Sequence, residues 1–156
     1  MPTRILMVCL GNICRSPLAE GILRDKVDPD VVIVDSAGTA GYHIGNPPDP
    51  RSISVARKYG LDISQQRSRK FTSVDLEAFD IIYAMDHSNY AHILDMARDE
   101  TEMGKVKMLL QDGGSKTVEV PDPYYGPEGG FERVFHLIDK ACTAIAAKYT
   151  EKPWDE

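Results

Sequence analysis

A cysteine, an arginine and a serine stand close together near the start of the sequence. Cys9 is followed by five residues and then by Arg15 and Ser16. A loop of this length can turn its backbone N–H groups inward, and an arginine can bind two oxygens of a tetrahedral dianion. A helix starting there would add the partial positive charge of its N-terminus. Because the same field stabilises a thiolate, these residues predict a nucleophilic cysteine inside an oxyanion site.

Two neighbours of this cysteine have predicted supporting roles. Ser16 can donate a hydrogen bond to the thiolate, and Gly11 permits the unusual backbone angles that such a loop needs. The alternative is that Cys9 is only a small apolar residue in a buried strand, as most buried cysteines are. The combination of residue types, spacing and flanking elements favours the nucleophile.

A second candidate is Asp122, which stands between Pro121 and Pro123. The two prolines restrict the backbone on both sides of the carboxylate and would hold it in place. The alternative is an ordinary surface turn, in which Asp and Pro are both common. We expect a general acid, because a leaving oxygen needs a proton and the predicted topology brings Asp122 to the same sheet edge as Cys9.

Short apolar runs that alternate with helical patterns would position these residues. The predicted strands cover residues 4–9, 31–34, 79–84 and 106–110. The first predicted helix has Pro17 at its first position, and the others cover residues 50–59, 87–97 and 130–149, with Asp49 as the cap of the helix at Pro50. This alternation predicts a parallel sheet covered on both faces, with ligands bound beyond the carboxyl ends of its strands.

Length and composition exclude several classes of protein. A chain of 156 residues with 42% hydrophobic and 27% charged residues is expected to form one domain over residues 1–156. Its net charge of −6 repels the phosphates of nucleic acids, so no nucleic-acid partner is expected. The apolar run near the N-terminus is too short for a signal peptide or a membrane span, so we expect no membrane association. An odd count of three cysteines fits a reducing compartment, and we expect a cytoplasmic protein.

The histidines and cysteines of the chain indicate no metal site. The four histidines, at positions 43, 87, 92 and 136, and the three cysteines show no metal-ligand spacing, so neither a metal nor another cofactor is expected. Cys142 falls on the apolar side of the last predicted helix. We expect it in the core.

Three segments of the chain resemble the low-molecular-weight protein tyrosine phosphatases. They are residues 9–20, 35–39 and 122–126, in the order and at the chain length of that family. The resemblance implies a four-stranded parallel α/β sheet of strand order 2-1-3-4, flanked by helices on both faces in a flavodoxin-like or Rossmann-like three-layer fold. It also implies hydrolysis of protein phosphotyrosine and of small aryl phosphates through a phosphocysteine intermediate.

The resemblance implies a role for each residue of the site. Cys9 would be the nucleophile, Arg15 the phosphate clamp and Asp122 the general acid. The residues that bind phosphate or support its loop would be Leu10, Gly11, Asn12, Ile13, Cys14, Ser16 and Ser36. The substrate cleft would be formed by Tyr42, His43, Tyr124 and Tyr125. For His43, an exposed loop position without contact to substrate is an equal alternative.

The resemblance has two further implications. One concerns oxidation of the loop cysteines, and the other concerns a position at which this chain departs from the family. A reversible disulfide between Cys9 and Cys14 would protect the nucleophile from over-oxidation, whereas the alternative is that Cys14 only packs. Gln66 stands where some members have a histidine in a network that supports the phosphate loop. Because an amide also donates and accepts hydrogen bonds, we expect a modest change in loop stability and retained activity.

The expected partners are phosphotyrosine proteins, with inorganic phosphate as a product. A tyrosine kinase is a further candidate partner, and a monomer or weak dimer is expected. One alternative is an arsenate reductase of the same fold, which would need a relay of further cysteines near the site, and only Cys142 is left for it. The other is a non-catalytic phosphotyrosine-binding or redox-sensing module. It would be expected to lack Cys9, Arg15 or Asp122, and all three are present.

Overall fold

A four-stranded sheet forms the centre of the molecule in a computed structural model that describes residues 1–124 and 129–150. Its strands are β1 (Thr3–Cys9), β2 (Val32–Gly38), β3 (Ile81–Ala84) and β4 (Val106–Met108). Their order in the sheet is β2-β1-β3-β4, and every neighbouring pair is parallel. The strand order implied by the family resemblance is therefore confirmed.

The sheet is covered on both faces, as the continuous apolar sequence of β1 predicts. Its helices are α1 (Arg15–Lys26), α2 (Pro50–Lys58), α3 (Ser73–Ala78), α4 (His87–Met96), α5 (Glu100–Met103), α6 (Leu109–Asp112) and α7 (Gly129–Thr150). Successive side chains of a strand point to opposite faces. Ile5 and Met7 pack in one cluster with residues of α1 and α7, and Leu6 and Val8 pack in another with residues of α3 and α4. The result is the three-layer arrangement that was expected.

The predicted start of α2 and the predicted core position of Cys142 are also confirmed. The Asp49 side chain accepts a hydrogen bond from the backbone N–H of Arg51, and Pro50 is the first residue of the helix. Cys142 is fully buried in α7. No helix within the described residues combines the length and the apolar character that a membrane crossing needs.

Strands β3 and β4 are shorter than predicted. The run that begins at Phe79 does not pair until Ile81, because Phe79 ends α3. β4 ends at Met108, and residues 109–110 begin α6. A short apolar run does not by itself distinguish a strand from a buried turn of helix. The sequence also did not indicate α3 and α5. These helices have six and four residues, and neither is long enough to show a helical period.

The elements around the phosphate-loop sequence also differ in their limits. β2 continues past residue 34 to Gly38, which lies opposite Cys9 in the pairing with β1. α1 begins at Arg15, so Pro17 is its third residue and not its first. A proline is tolerated there because the N–H groups of the first turn have no partner within the helix.

Candidate active site

The predicted oxyanion loop, residues 10–14, connects the end of β1 to the start of α1. Cys9 is the last residue of β1 and Arg15 the first of α1, and both side chains are almost completely buried. β1 is an inner strand of the sheet, so its carboxyl end opens where parallel α/β sheets bind ligands. The loop N–H groups and the helix N-terminus therefore lie on the same side of the sheet.

Two polar groups lie within hydrogen-bond distance of the sulfur of Cys9. The Sγ atom lies 3.0 Å from Ser16 Oγ, and it accepts a bond of 3.3 Å from the backbone N–H of Asn12. Both groups are buried, which strengthens a hydrogen bond to a charged acceptor. This environment is suited to a thiolate.

Asn12 holds the left-handed backbone position of the loop. Asn12 has a φ of 56°, whereas Gly11 is not in the left-handed region, so the conformational freedom of Gly11 is not what makes this turn. The short polar side chain of asparagine tolerates this conformation by bonding locally. Its Nδ2 donates to Ser16 Oγ at 2.8 Å and to Ser36 Oγ at 3.0 Å, and its Oδ1 accepts from the backbone N–H of Arg69 at 3.0 Å.

Two further residues, Ser68 and Gly38, contact the outer side of the loop. The sequence did not indicate this role for either of them. Ser68 Oγ donates to the carbonyl of Gly11 at 3.0 Å. Gly38 packs so closely that an added Cβ would lie 2.8 Å from the carbonyl oxygen of Leu10. No spacing in the sequence pointed to Ser68, which lies in a segment without regular structure. The close approach explains the glycine in the 35–39 motif.

Gln66 does not join the side-chain network of the loop. Its Nε2 donates to the carbonyl of Pro17 at 3.1 Å, in the first turn of α1, and its Oε1 is buried without a hydrogen-bond partner in the structure. The hydroxyl of Ser36 donates instead to Glu20 Oε1 at 2.6 Å. The side chain of Gln66 therefore supports α1, whose backbone it contacts at Pro17. It does not contact Ser36, which is one of the loop supports.

Arg15 is held by a carboxylate that the sequence analysis did not name. Its Nη1 donates to Asp86 Oδ2 at 2.7 Å and to the carbonyl of Val120 at 3.0 Å. Burial alone would lower the pKa of Arg15, but the nearby Cys9 and Asp86 outweigh it and raise this pKa. The guanidinium is thus charged and fixed in orientation. Asp86 lies two residues after the end of β3, and that position beyond a strand end was the available hint.

Asp122 lies at the same edge of the sheet, as predicted. Its Oδ1 accepts a bond of 3.0 Å from the N–H of Tyr124, and its Oδ2 lies 3.7 Å from Arg15 Nη2. The side chain of Asp122 is 39% exposed, so it stands between the buried arginine and solvent. Cys9, Arg15 and Asp122 border one cavity of about 80 Å³.

Most of the predicted site residues line this cavity. Its walls are formed by Cys9, Leu10, Gly11, Ile13, Cys14, Arg15, Tyr42, His43, Asp122 and Tyr124. Asn12, Ser16 and Ser36 lie behind it as loop supports. Tyr125 lies outside the described residues.

The mouth of the cavity is aromatic. The ring of His43 lies 6.3 Å from the ring of Tyr42 and 6.3 Å from that of Tyr124. His43 therefore faces the cavity and is more than an exposed loop residue. Tyr42 is 75% exposed, so most of its ring faces solvent at the rim.

Cys14 also borders the cavity but differs chemically from Cys9. Burial, together with the negative charges of Asp49, Cys9 and Asp122, raises the pKa of Cys14 to about 12. It therefore stays a protonated thiol at neutral pH. All three cysteines of the chain are free.

The chain is similar to known proteins of one family. The model of the family "Low molecular weight phosphotyrosine protein phosphatase" matches residues 4–153. The human low molecular weight phosphotyrosine protein phosphatase is 38% identical over 152 residues, which cover 92% of this chain and 94% of the human one. A protein tyrosine phosphatase from Entamoeba histolytica, solved with Hepes in its active site, is 40% identical with a TM-score of 0.88 and covers 94% of this chain and 96% of its own.

A further solved structure is that of Wzb from Vibrio vulnificus in complex with benzylphosphonate. It is 34% identical, has a TM-score of 0.83, and the match covers 94% of this chain and 98% of Wzb. The match of the family model over nearly the whole chain agrees with the strand order and with the loop between β1 and α1. The chain therefore belongs to the family of low molecular weight phosphotyrosine protein phosphatases, whose members are protein-tyrosine phosphatases.

Proposed function

We propose that this phosphatase hydrolyses protein phosphotyrosine and small aryl phosphates through a phosphocysteine intermediate on Cys9. The observation that carries the proposal is the convergence of Ser16 and the N–H of Asn12 on Cys9 Sγ, in a cavity that Arg15 and Asp122 also border. A stabilised thiolate beside an anion-binding loop is a nucleophile held next to its electrophile.

In the first step, the Cys9 thiolate attacks phosphorus in line with the leaving oxygen. The S–P bond forms as the P–O bond breaks, and Asp122 gives its proton to the phenolic oxygen. The loop N–H groups and Arg15 bind the non-bridging oxygens, where negative charge is carried through the transition state. Asp122 suits the acid role because its side chain lies above the buried arginine and is 39% exposed toward entering substrate.

In the second step, a water molecule attacks the phosphocysteine. Asp122, now a carboxylate, takes the proton of that water as the S–P bond breaks and inorganic phosphate forms. The Cys9 thiolate is restored as the leaving group. Ser16 supports this step because its hydroxyl lies 3.0 Å from the departing sulfur.

Selectivity for aryl phosphates follows from the depth and walls of the cavity. Cys9 is only 2% exposed, so a phosphate must be carried on a long side chain to reach it. Tyr42, His43 and Tyr124 offer aromatic surfaces at the mouth, and a stacked ring adds about 0.5–1.5 kcal/mol beyond simple burial. The Vibrio vulnificus relative was solved with benzylphosphonate, in which an aromatic ring is joined to a phosphonate group, and this supports the same substrate class here.

The decisive experiment is the substitution Cys9→Ser. This variant should lose hydrolysis of p-nitrophenyl phosphate while it still binds inorganic phosphate, as measured by calorimetry. Cys142→Ala is the matched control, because Cys142 is buried in α7 away from the loop, and it should retain hydrolysis. Hydrolysis at the wild-type rate by Cys9→Ser would rule out the phosphocysteine mechanism.

We propose further that Cys14 resolves an oxidised Cys9. Peroxide would convert the Cys9 thiolate to a sulfenic acid, and the Cys14 thiol would then form the disulfide with loss of water. Both cysteines border the same cavity, and the raised pKa of Cys14 makes Cys9 the one that is oxidised first. Treatment with peroxide and then dithiothreitol should restore activity in the wild type but less of it in Cys14→Ser.

The proposed setting is a single phosphatase domain over residues 1–156 that acts in the cytoplasm on phosphotyrosine proteins as a monomer or weak dimer. The family match over residues 4–153 supports one domain. Arsenate reduction is disfavoured because Cys142 is fully buried and offers no relay thiol. Thiol-dependent arsenate reduction, assayed beside aryl phosphate hydrolysis, separates the two activities.

A further inference from the structure

Arg51 is a half-buried cation that the proposed mechanism does not use. It lies in the first turn of α2 and does not line the cavity of Cys9. Its guanidinium nevertheless contacts two separate parts of the site. One contact is with Asp49, which is bonded to the loop of residues 10–14, and the other is with Tyr124, which is bonded to Asp122.

Asp49 fixes one side of the Arg51 guanidinium. Nε of Arg51 donates to Asp49 Oδ1 at 3.0 Å, and Nη2 donates to Asp49 Oδ2 at 2.9 Å, so the pair is bidentate. A bidentate pair fixes orientation as well as distance. The side chain of Asp49 is buried, and its backbone N–H donates to the carbonyl of Ile13 at 2.8 Å. Arg51 is therefore held in one orientation relative to the loop of residues 10–14.

The other side of the guanidinium contacts Tyr124. Nη2 of Arg51 donates to the backbone carbonyl of Tyr124 at 3.2 Å, and the guanidinium carbon lies 5.5 Å from the centre of the Tyr124 ring. The ring of Phe131 in α7 lies 4.6 Å from the same carbon. A cation within about 6 Å of an aromatic ring is attracted to its face. Arg51 thus holds both the backbone and the ring of Tyr124.

Tyr124 in turn orients the proposed acid. Its backbone N–H donates to Asp122 Oδ1 at 3.0 Å, while Asp122 Oδ2 lies 3.7 Å from Arg15 Nη2. The side chain of Asp122 is exposed in part, so packing alone does not fix it. A shift of Tyr124 would move the donor that orients the Asp122 carboxyl group.

We propose that Arg51 is a positioning residue that holds the segment of Asp122 and Tyr124 against the loop of residues 10–14, so that the acid stays within reach of the leaving oxygen. The inference rests on the proposed function, in which Asp122 is the acid. Arg51 acts through Tyr124, because it does not border the cavity in which the reaction takes place. Misplacement of a reacting group by about 1 Å can lower a rate by about 100-fold.

The alternative role for Arg51 is attraction of the substrate by charge. A cation near the mouth of the cavity would favour every phosphorylated substrate to a similar extent. The bidentate contact with Asp49 argues against this role, because the carboxylate offsets the charge of the guanidinium. The two roles differ in how the effect of Arg51 depends on the leaving group.

The test is Arg51→Met in the full-length protein, with kcat/KM measured for phenyl phosphate and for p-nitrophenyl phosphate. Methionine keeps an unbranched apolar side chain beside Tyr124 but removes the donors. A poor leaving group needs the proton more, so kcat/KM should fall about 10- to 100-fold for phenyl phosphate and about threefold or less for p-nitrophenyl phosphate. Binding of inorganic phosphate, measured by calorimetry, should be unchanged, because Arg51 does not line the cavity.

A double substitution shows whether Arg51 acts through Asp122. Arg51→Met should add little to the loss of phenyl phosphate hydrolysis in Asp122→Ala, because the group that Arg51 positions is then already absent. Arg57→Met is the matched control, since Arg57 is an exposed arginine of the same helix. It should change kcat/KM for neither substrate.

The outcomes separate this inference from the proposed function. Equal losses on both substrates in Arg51→Met, or full additivity with Asp122→Ala, would overturn the positioning role. The proposed function stands in that case if Cys9→Ser is inactive and Asp122→Ala alone still distinguishes the two leaving groups, and it fails if either result is absent.

A second variant keeps the inference testable if Arg51→Met does not fold. Arg51→Lys retains the charge, but a lysine lacks the planar fork that contacts Asp49 and the Tyr124 carbonyl at once. A larger loss for phenyl phosphate than for p-nitrophenyl phosphate in this variant supports the inference. Equal losses, or no loss on either substrate, overturn it.

Discussion

The buried guanidinium of Arg15 and the half-buried carboxylate of Asp86 form an ion pair, with Nη1 and Oδ2 2.7 Å apart. Asp86 is also the N-cap of α4, because its Oδ1 accepts a bond of 2.8 Å from the N–H of Asn89. Its two oxygens thus serve different purposes, one for the helix and one for the arginine. The pair forms because β1 and β3 are neighbours in the sheet, so the residues that follow them meet at one edge.

The substitution Asp86→Asn separates these two purposes. Asparagine keeps an oxygen for the helix cap but removes the charge that orients Arg15. We expect kcat/KM for p-nitrophenyl phosphate to fall about 10- to 100-fold, the worth of a hydrogen bond to a charged group, with little change in the thermal midpoint. Steady-state kinetics and thermal unfolding followed by circular dichroism measure the two effects. A wild-type kcat/KM would show that Arg15 is oriented without Asp86.

The substitution Asp122→Ala tests the general acid through the leaving group. Loss of a positioned acid typically lowers a rate by about 10²–10⁴-fold, and a stable leaving oxygen needs the proton less. The loss should therefore be larger for phenyl phosphate or a phosphotyrosine peptide than for p-nitrophenyl phosphate. Asp95→Ala, at an exposed position of α4, serves as the control and should change neither rate. Equal losses on good and poor leaving groups would exclude Asp122 as the acid.

The substitution Gly38→Ala tests the close contact between β2 and the phosphate loop. The new Cβ would lie 2.8 Å from the carbonyl oxygen of Leu10 and 3.0 Å from the nitrogen of Asn12, and both are backbone atoms. We expect a loss of about 1–3 kcal/mol in the free energy of unfolding, together with weaker phosphate binding by calorimetry. Gly130→Ala is the control, since its nearest contact would be an ordinary 3.6 Å and it lies in α7. Unchanged phosphate affinity in Gly38→Ala would mean that the loop tolerates the shift.

The raised pKa of Cys14 predicts a dependence of stability on alkaline pH. Burial raises this pKa from 9.0 to about 12, so the folded state keeps a proton that the unfolded state loses. The stabilisation is complete below pH 9 and is lost as the pH rises through 12. The free energy of unfolding, measured by urea denaturation, should therefore fall more between pH 9 and 11 in the wild type than in Cys14→Ser. Parallel curves for the two proteins would contradict the shift.

The core of the site was predictable because its parts are neighbours in the sequence. A continuous apolar run makes β1 a buried strand, and the helix that starts six residues after Cys9 must begin at the strand's carboxyl end. Strand, loop and helix N-terminus together bring the thiol of Cys9 and the guanidinium of Arg15 to one cavity. These are local effects of backbone geometry and spacing, which the order of residues specifies directly.

The partners of that loop could not be predicted in the same way. Asp86, Ser68 and Glu20 belong to segments whose local sequence looks like an ordinary cap, an irregular stretch and a helix surface. They contact the site because strand order and helix packing bring together residues that are far apart in the sequence, such as Arg15 and Asp86, which are 71 positions apart. The sequence by itself determined that Cys9 and Arg15 flank one loop between a strand and a helix. Only the tertiary structure decided that Asp86 holds the arginine and that Ser68 holds the loop, because such contacts depend on the packing of the whole sheet.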